Sequence, residues 1–338
     1  MEEKVDRRYL NLSVRTSPHI KRGVTVPNIM ANVVLALVPI SAHAVYAFGL
    51  SALLLIASTT ASCLLTEYFI NRVRGVENTL SDFSAVITGM LLGLTLPPGF
   101  PLWMGCVGGV VSIALGKSLF GGLGYNVFNP ALVGRAFLQA AFPVAITTWH
   151  EPFQLDRFVS LIPSTLTVPF SKPIVEGVTG ATPLALMKFD HKIVPLDTLL
   201  LGVTGGSIGE LSALIILICG VYLAFRRMLD WRIPVGMTIT VVLLCEALRL
   251  YNPAYPSGLF MVTAGGFMLG AWFMATDMVT SPVTPLAVWI FSIIVGVLIV
   301  VIRLFGGLPE GVMYAILIGN AVTPLLNEAT QPKVYGTG

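Results

Sequence analysis

Long apolar stretches alternate with short polar or glycine- and proline-rich connections along most of the chain. A membrane-spanning helix needs about 20 mostly apolar residues, and about ten stretches reach or approach that length. They cover residues 29–49, 51–71, 83–96, 102–120, 126–147, 210–226, 233–250, 258–276, 283–304 and 310–327. The third stretch is short and ends at a Pro-Pro-Gly run, which predicts a broken or re-entrant helix. The pattern therefore predicts an all-α polytopic membrane protein of about ten transmembrane helices, some of them broken.

One long polar connection divides these stretches into two sets of five. It covers residues 148–208, whereas most connections between neighbouring helices are only a few residues long. A long ordered connection usually carries function. The chain is therefore expected to have five segments: a tail 1–28, a first membrane unit 29–147, the connection 148–208, a second membrane unit 209–327 and a tail 328–338.

The two membrane units are similar at their glycine- and proline-containing interruptions. The run GMLLG at 89–93 matches GFMLG at 266–270, each followed by prolines and a tryptophan. The run FGGL occurs at 120–123 and again at 305–308, each time before the last helix of its unit. Chance similarity between apolar, glycine-rich stretches is the alternative. We favour two five-helix inverted repeats, an arrangement that commonly holds a cofactor, substrate or ion site between the repeats.

Lysine and arginine residues predict the orientation, because cytoplasmic connections are enriched in them. With the N-terminus inside, the inner connections and the C-terminal tail contain Arg72, Arg74, Lys117, Arg226, Arg227, Arg232 and Lys333. The outer turns 96–101 and 251–257 contain none. The first apolar stretch also begins too far along the chain for a signal peptide. We expect both termini in the cytoplasm and residues 148–208 on the opposite side of the membrane.

Composition agrees with the membrane class and argues against several functions. Of 338 residues, 55% are hydrophobic and 11% are charged, whereas soluble domains have roughly 25% charged residues. The net charge of +3 is spread over short connections, so nucleic-acid binding has no support. The four cysteines have no CxxC spacing, the four histidines have no metal-ligand spacing, and no G-x-G-x-x-G unit opens a βαβ pattern. We expect neither a complete active site nor a metal site within this chain.

Three motifs carry a family resemblance: GVTGATPL at 177–184, ATDMVTSPVTP at 275–285 and YNVFNPA at 125–131. With the length, the helix count and the position of the long connection, they resemble the RnfD protein of the Rnf electron-transport complex over nearly the whole chain. The NqrB protein of the sodium-translocating NADH:quinone reductase is a more distant match. The resemblance implies a flavoprotein component of an ion-translocating ferredoxin:NAD+ oxidoreductase in a prokaryotic inner membrane. Such a protein relays electrons, and the relay is coupled to Na+ or H+ transport.

The resemblance also implies a covalent cofactor on the long connection. In that family, a threonine closing a D-x-x-[S/T]-G-A-T motif is esterified to the phosphate of FMN by a separate flavin transferase. The matching acceptor is Thr182, preceded by Thr179, Gly180 and Ala181. Glu176 stands where the family usually has aspartate, which keeps the charge and adds a methylene. The small residues before the acceptor leave its backbone unobstructed for another enzyme.

Thr182 also has a purely structural interpretation. Threonine followed by proline, here Pro183, is typical of a helix start, with threonine as the N-cap and proline at the first helical position. The two roles are compatible, so we expect a short helix after Thr182 as well as the flavin ester.

Asp277, Thr280 and Ser281 form a second candidate site. An acidic residue at the end of a membrane helix is costly unless it is capped, paired or functional. Asp277 is therefore either a turn residue held by Thr280 or Ser281, or part of a flavin or cation site between the repeats. The sequence leaves both possibilities open.

Two asparagines and an arginine complete the candidate residues. Asn126 and Asn129 either stabilise their turn or hydrogen-bond a flavin ring, because members of the resembled family also hold non-covalent riboflavin. Arg135 either reaches a flavin phosphate or an acidic partner, or extends to the inner membrane surface.

The resemblance implies that most of the redox chemistry belongs to partner proteins. These partners are membrane iron–sulfur subunits, a second subunit with covalent FMN, the NADH- and ferredoxin-side subunits and the flavin transferase, with lipid around the helices. The alternatives are the NqrB protein of the quinone reductase and a secondary transporter or channel, which would suit inverted repeats and broken helices equally well. The Thr-Gly-Ala-Thr sequence in the long connection favours the flavoprotein.

Overall fold

The computed structural model describes residues 25–169, 181–202 and 204–332, and every regular element within these ranges is helical. The α-helices follow in chain order as α1 Val26–Phe48, α2 Leu50–Arg74, α3 Ser84–Leu94, α4 Leu102–Ala114, α5 Pro130–Ala141, α6 Pro143–Ile146, α7 Pro183–Phe189, α8 Leu196–Leu201, α9 Ala213–Phe225, α10 Arg232–Tyr251, α11 Gly258–Thr263, α12 Phe267–Leu269, α13 Pro285–Phe305 and α14 Val312–Ala329. Two short 3-10 turns, Leu80–Asp82 and Ser118–Phe120, and a π-helical turn, Gly270–Met274, join them. The all-α prediction is confirmed.

Among the described residues, six helices are long and apolar enough to cross a membrane. They are α1, α2, the segment Leu102–Phe120 that contains α4, α10, α13 and α14. Together with the shorter apolar helices α3 and α9, they make this chain a multi-pass membrane protein, as the apolar pattern predicts.

A glycine makes the sharp reversal between α1 and α2. Gly49 has a φ of +72°, a conformation that side chains disfavour, and the carbonyl of Arg157 fills the space that a side chain would need. The amide of Leu50 donates to that same carbonyl at 3.0 Å, and Arg157 Nε donates to the carbonyl of Tyr46 at 2.8 Å. The long connection is thereby attached to the end of the first helical hairpin.

Four predicted spans are shorter or more interrupted than the apolar pattern indicated. Helices α3 and α9 have 11 and 13 residues, which gives lengths of about 17 and 20 Å against a hydrocarbon core of about 30 Å. The predicted fifth span divides at Phe142 into α5 and α6. The eighth divides into α11, α12 and the π-helical turn, with Gly265 at a φ of +67° in the break. The breaks in the fifth and eighth spans lie within apolar sequence, so hydropathy alone does not reveal them.

The end of α3 and the segment before α9 meet inside the protein. The amide of Ile208 donates to the carbonyl of Leu96 at 3.0 Å, and the amide of Gly209 donates to the carbonyl of Leu94 at 2.6 Å. Irregular backbone at membrane depth persists only where protein or a cavity satisfies its polar groups. This junction places Glu210, the next residue, within the protein.

The two membrane units pack in the same order. In the first, α2 lies against α3 and α4, and α4 lies against α5. In the second, α10 lies against α11 and α13, and α13 lies against α14. Contacts of α1 with α9 and of α5 with α14 join the units. The candidate site lies along this junction.

Candidate functional site

Three cavities, each defined by the described residues around it, lie in series along the junction. The Thr182 cavity is lined by Thr182, Glu210 and Glu310 among others. The middle cavity shares both glutamates and adds Arg135. The Asp277 cavity lies beyond the π-helical turn: Met274, the last residue of the turn, lines the middle cavity, and Trp272 and Phe273 line the Asp277 cavity. Polar side chains thus follow the junction from one end of the helices towards the other.

Thr182 is the N-cap of α7. Its backbone is extended, with φ of −66° and ψ of 153°, and its side-chain oxygen accepts a hydrogen bond from the amide of Ala185 at 3.2 Å. Pro183 occupies the first turn, as the sequence predicts. Ala181 is exposed beside it, whereas Glu176, Thr179 and Gly180 lie outside the described residues.

Helix α7 is held against the second membrane unit by its far end. The ammonium of Lys188 donates to the carbonyls of Arg303 and Leu308 at 2.9 and 3.0 Å. Leu184 is buried on the face turned towards the protein. Since both ends of this short helix have partners, the half-buried hydroxyl of Thr182 is fixed at the Thr182 cavity.

Asp277 is held in a turn and lines a cavity. Its carboxylate accepts from the hydroxyl of Thr280 at 3.2 Å and from the amide of Val279 at 3.4 Å, while its carbonyl accepts from the amide of Ser281 at 3.0 Å. The turn interpretation is therefore correct for all three predicted residues. Asp277 also lines the Asp277 cavity, so the turn presents a carboxyl group to that space.

Both predicted asparagines line the Asp277 cavity and are buried. Asn126 Nδ2 donates to the carbonyl of Phe128 at 3.2 Å, but its Oδ1 is buried without a hydrogen-bond partner among the described residues. Asn129 caps α5 through the amide of Ala131 and donates to the carbonyl of Met274, at the end of the π-helical turn. The turn interpretation holds, and Asn129 additionally joins the two membrane units.

An ion pair that the sequence did not reveal borders the same cavity. Lys117 Nζ donates to both carboxyl oxygens of Glu67 at 2.7 and 2.8 Å and to the hydroxyl of Ser84 at 2.6 Å. The Lys117 and Glu67 side chains are 4% and 2% exposed. Lys117 therefore does not face the cytoplasm in an inner connection, which corrects the interpretation of this residue as an orientation signal. A glutamate within the second apolar stretch was the available clue.

Arg135 is buried in the middle cavity. It is 6% exposed, and its Nη1 has no hydrogen-bond partner among the described residues. This burial is inconsistent with extension to the inner membrane surface. Glu210 and Glu310 line the same cavity, and contact of Arg135 with a flavin phosphate or an acidic partner stays a prediction. Neither glutamate was predicted as a site residue, although each stands beside the start of an apolar stretch.

Arg303 completes this charged cluster. The guanidinium is fully buried and donates to Glu310 at 2.8 Å and to the carbonyls of Met261 and Ala264 at 2.5 and 3.1 Å. The two carbonyls belong to α11 and the break after it, where the helical hydrogen bonds are interrupted. Arg303 thus satisfies the broken backbone and neutralises one buried carboxylate.

These features define a class: a polytopic membrane protein of two similarly packed helical units, with buried charged cavities and interrupted helices at their junction. The chain belongs to the NQR2, RnfD, RnfE family, whose model matches residues 13–336.

Similar proteins cover nearly the whole chain. The D component of the proton-translocating ferredoxin:NAD(+) oxidoreductase complex of Clostridium ljungdahlii is 40% identical over 336 residues, which covers 96% of each chain. The D component of the Na(+)-translocating ferredoxin:NAD(+) oxidoreductase complex of Acetobacterium woodii is 43% identical over 331 residues, covering 97% of this chain and 96% of the relative. The D component of the ion-translocating oxidoreductase complex of Halorhodospira halophila is 37% identical, covering 94% of each.

Proposed function

We propose that this protein is the RnfD membrane flavoprotein of an ion-translocating ferredoxin:NAD+ oxidoreductase, or Rnf, complex. In this proposal it carries FMN through a phosphoester on Thr182 and relays electrons between neighbouring subunits while Na+ or H+ is moved. The observation that carries the proposal is the position of Thr182, which caps α7 at a cavity between the long connection and the second membrane unit. The names of the similar full-length proteins support it.

The residues around Thr182 fit a tethered phosphoester. The described hydrogen bond to Thr182 Oγ1 comes from a backbone amide, and an ester oxygen keeps a lone pair to accept it. The adjoining cavity has apolar walls from Leu184 and Leu199 and the aromatic ring of Trp149. When bound, FMN would supply one- and two-electron redox chemistry, while these residues hold and shield the ring.

A second, non-covalent flavin such as riboflavin is proposed for the Asp277 cavity. Its walls include Leu91, Trp272 and Phe273, and the buried Oδ1 of Asn126 has no protein partner among the described residues. An orphaned buried acceptor is costly, and the imide N–H of a flavin ring would satisfy it.

Partner subunits would provide the remaining redox centres. The described residues contain no group of three or more His, Cys, Asp or Glu side chains able to hold a metal ion. Iron–sulfur subunits in the membrane, the second covalent-FMN subunit and the NADH- and ferredoxin-side subunits would exchange electrons with this chain, after a flavin transferase has loaded Thr182. We place the complex in a prokaryotic inner membrane, with both termini in the cytoplasm and residues 148–208 outside.

Mass spectrometry tests the covalent flavin. The protein is co-expressed with its flavin transferase and purified from membranes as wild type, Thr182→Ala, Thr182→Ser and Thr179→Ala. We expect the wild-type peptide that contains Thr182 to gain the mass of FMN less water and to fluoresce in a denaturing gel. Thr182→Ala should lose both signals, because it lacks the acceptor oxygen, whereas Thr182→Ser and Thr179→Ala should keep them.

An unmodified wild-type peptide under these conditions would refute the covalent cofactor and leave Thr182 as a helix cap. The transporter or channel alternative would then be favoured. The quinone-reductase alternative is decided by purification of the native complex, since its partners would include a quinone-reducing set instead of ferredoxin-side subunits.

A further inference from the structure

Two glutamates from different parts of the chain converge at Gly266. Glu210 precedes α9 and Glu310 precedes α14. The point that a Gly266 Cβ would occupy lies 2.8 Å from Glu210 Oε1 and 3.2 Å from Glu310 Oε2. The two carboxyl oxygens are therefore separated by no more than the sum of these distances. A side chain at Gly266 would displace the carboxyl groups, so glycine allows both to approach the backbone here.

The two carboxyl groups have different partners. Glu310 is paired with Arg303 at 2.8 Å and also accepts from the amide of Gly266 at 3.3 Å. Glu210 forms no ion pair with a described residue. Two carboxylates close together and partly shielded from water repel each other, and protonation of one relieves the repulsion. The pair is thus built to hold one proton, and Glu210 is its exchangeable member.

Space for water lies next to the pair. The middle cavity is bounded by both glutamates and by Arg135, whose buried Nη1 has no described partner. A buried polar group of this kind is normally satisfied by an ordered water when the space allows one. Such a water can take the proton of the Glu210 carboxyl as it gives one of its own to a further water molecule: the carboxyl O–H bond and one water O–H bond break, two O–H bonds form on water, and no hydronium ion stays beside the guanidinium.

The same glutamates line the Thr182 cavity, so they separate it from the middle cavity. On the far side of the middle cavity is Met274, at the end of the π-helical turn that borders the Asp277 cavity. π-Helical turns are frequent at functional sites because they interrupt the regular helical hydrogen bonds. The glutamate pair therefore lies between the Thr182 cavity and the middle cavity.

The charged surroundings favour a proton over a metal cation. The charged side chains that face the pair are Arg135 on α5 and Arg303 on α13. The two guanidinium groups repel a metal ion at the position where it would need several oxygen ligands. A proton needs only one carboxyl oxygen.

We propose that Glu210, together with Glu310, is a proton-exchange site between the Thr182 cavity and the middle cavity. Proton passage through these two residues of the chain is a function in addition to the electron relay. Glu210 binds and releases the proton. The ion pair of Glu310 with Arg303 determines the electrostatic potential at Glu210.

Infrared difference spectroscopy on the purified complex provides a test that does not depend on electron transfer. Spectra taken across a pH step should contain a carboxylic C=O band that shifts in D₂O. The band should be absent in Glu210→Gln and displaced in Glu210→Asp, which keeps an acid on a shorter side chain. Glu151→Gln, an identical change at an exposed residue of the long connection, should leave the spectrum unchanged.

Vesicle assays test the transport step. In inverted membrane vesicles with the complete complex, proton movement and electron transfer are measured together, and FMN loading of Thr182 is checked in each variant. Glu210→Gln should lower the number of protons moved per electron by at least about tenfold, while Glu151→Gln matches wild type. Normal FMN loading would show that a transport defect is not a loss of the flavin.

Three results would overturn the proposal. They are a wild-type carboxylic band in Glu210→Gln, an unchanged ratio of protons to electrons in that variant, and a carboxylic band displaced by Na+ at constant pH. The last would make the pair a sodium site. Because the infrared result does not require FMN, a failure of the flavin proposal would be recognised separately.

Discussion

At the scale of single residues, the Asp277 cavity combines apolar walls with one buried polar atom, Asn126 Oδ1, that has no hydrogen-bond partner among the described residues. The Asn126 side chain is buried, and its amide nitrogen already donates to the carbonyl of Phe128. The carboxyl group of Asp277, in contrast, is held by its own turn. Asn126 is therefore the residue whose oxygen is free to recognise a ligand.

Asn126→Ala should weaken retention of the non-covalent flavin by about tenfold, since one buried hydrogen bond contributes on the order of 1–3 kcal/mol. The measurement is the amount of flavin that acid precipitation releases per mole of purified protein. Asn252→Ala serves as the control, because Asn252 lies in an exposed turn between α10 and α11. Equal flavin release from Asn126→Ala and wild type would contradict this role.

At the scale of elements, α2 and α3 are packed closely enough for their backbones to touch. A Cβ at Gly89 would lie 2.9 Å from the amide nitrogen of Thr60 and 3.1 Å from the carbonyl oxygen of Thr59. The hydroxyl of Thr59 also donates to the carbonyl of Gly89 at 2.9 Å. Small residues allow this approach, and van der Waals contact with interhelical hydrogen bonds stabilises helix pairs in lipid.

Gly89→Ala should lower the free energy of unfolding by about 1–3 kcal/mol, because the added methyl group forces α2 and α3 apart. Thermal unfolding of the detergent-purified protein provides the measurement. Gly307→Ala is the matched control, since nothing lies within 4 Å of its Cβ position. A Gly89→Ala midpoint equal to that of Gly307→Ala would show that the close contact does not contribute to stability.

At the scale of the whole molecule, the Thr182 and Asp277 cavities lie towards opposite ends of the membrane helices. The Asp277 cavity is next to the starts of α1 and α3, whereas the connection that contains Thr182 is attached near the end of α1. The arginines at the end of α2 lie at the Asp277 end. The orientation proposed above therefore puts Thr182 outside the cell and the Asp277 cavity towards the cytoplasm.

Cysteine labelling tests that orientation. An Asp197→Cys variant in α8 should react with a membrane-impermeant maleimide in intact cells, whereas Glu77→Cys, after α2, should react only after permeabilisation. Both positions are exposed. The native cysteines provide a low background because three are buried and Cys106 is half-buried. Labelling of Glu77→Cys alone in intact cells would reverse the proposed topology.

Hydropathy and local chemistry, by themselves, determined the membrane class, the positions of the apolar stretches and the helix start at Thr182-Pro183, because each depends on neighbouring residues. The family motifs contain Asp277, Asn126 and Asn129, which line the Asp277 cavity, and Arg135, a charged residue near the start of the fifth apolar stretch, lines the middle cavity. The shortness of α9 and the break in the eighth span were decided by contacts between elements, since apolar residues run through both.

Tertiary structure alone decided how the buried charges are arranged. Lys117 and Glu67 are 50 positions apart, and Glu210 and Glu310 meet only because separate helices converge at Gly266. A charged residue near the end of an apolar stretch can reach water or remain buried. The adjacent residues in the sequence are the same in both cases, so they do not indicate which occurs. The free energy that selects burial comes from a partner of opposite charge or a shared proton, supplied by a distant part of the chain.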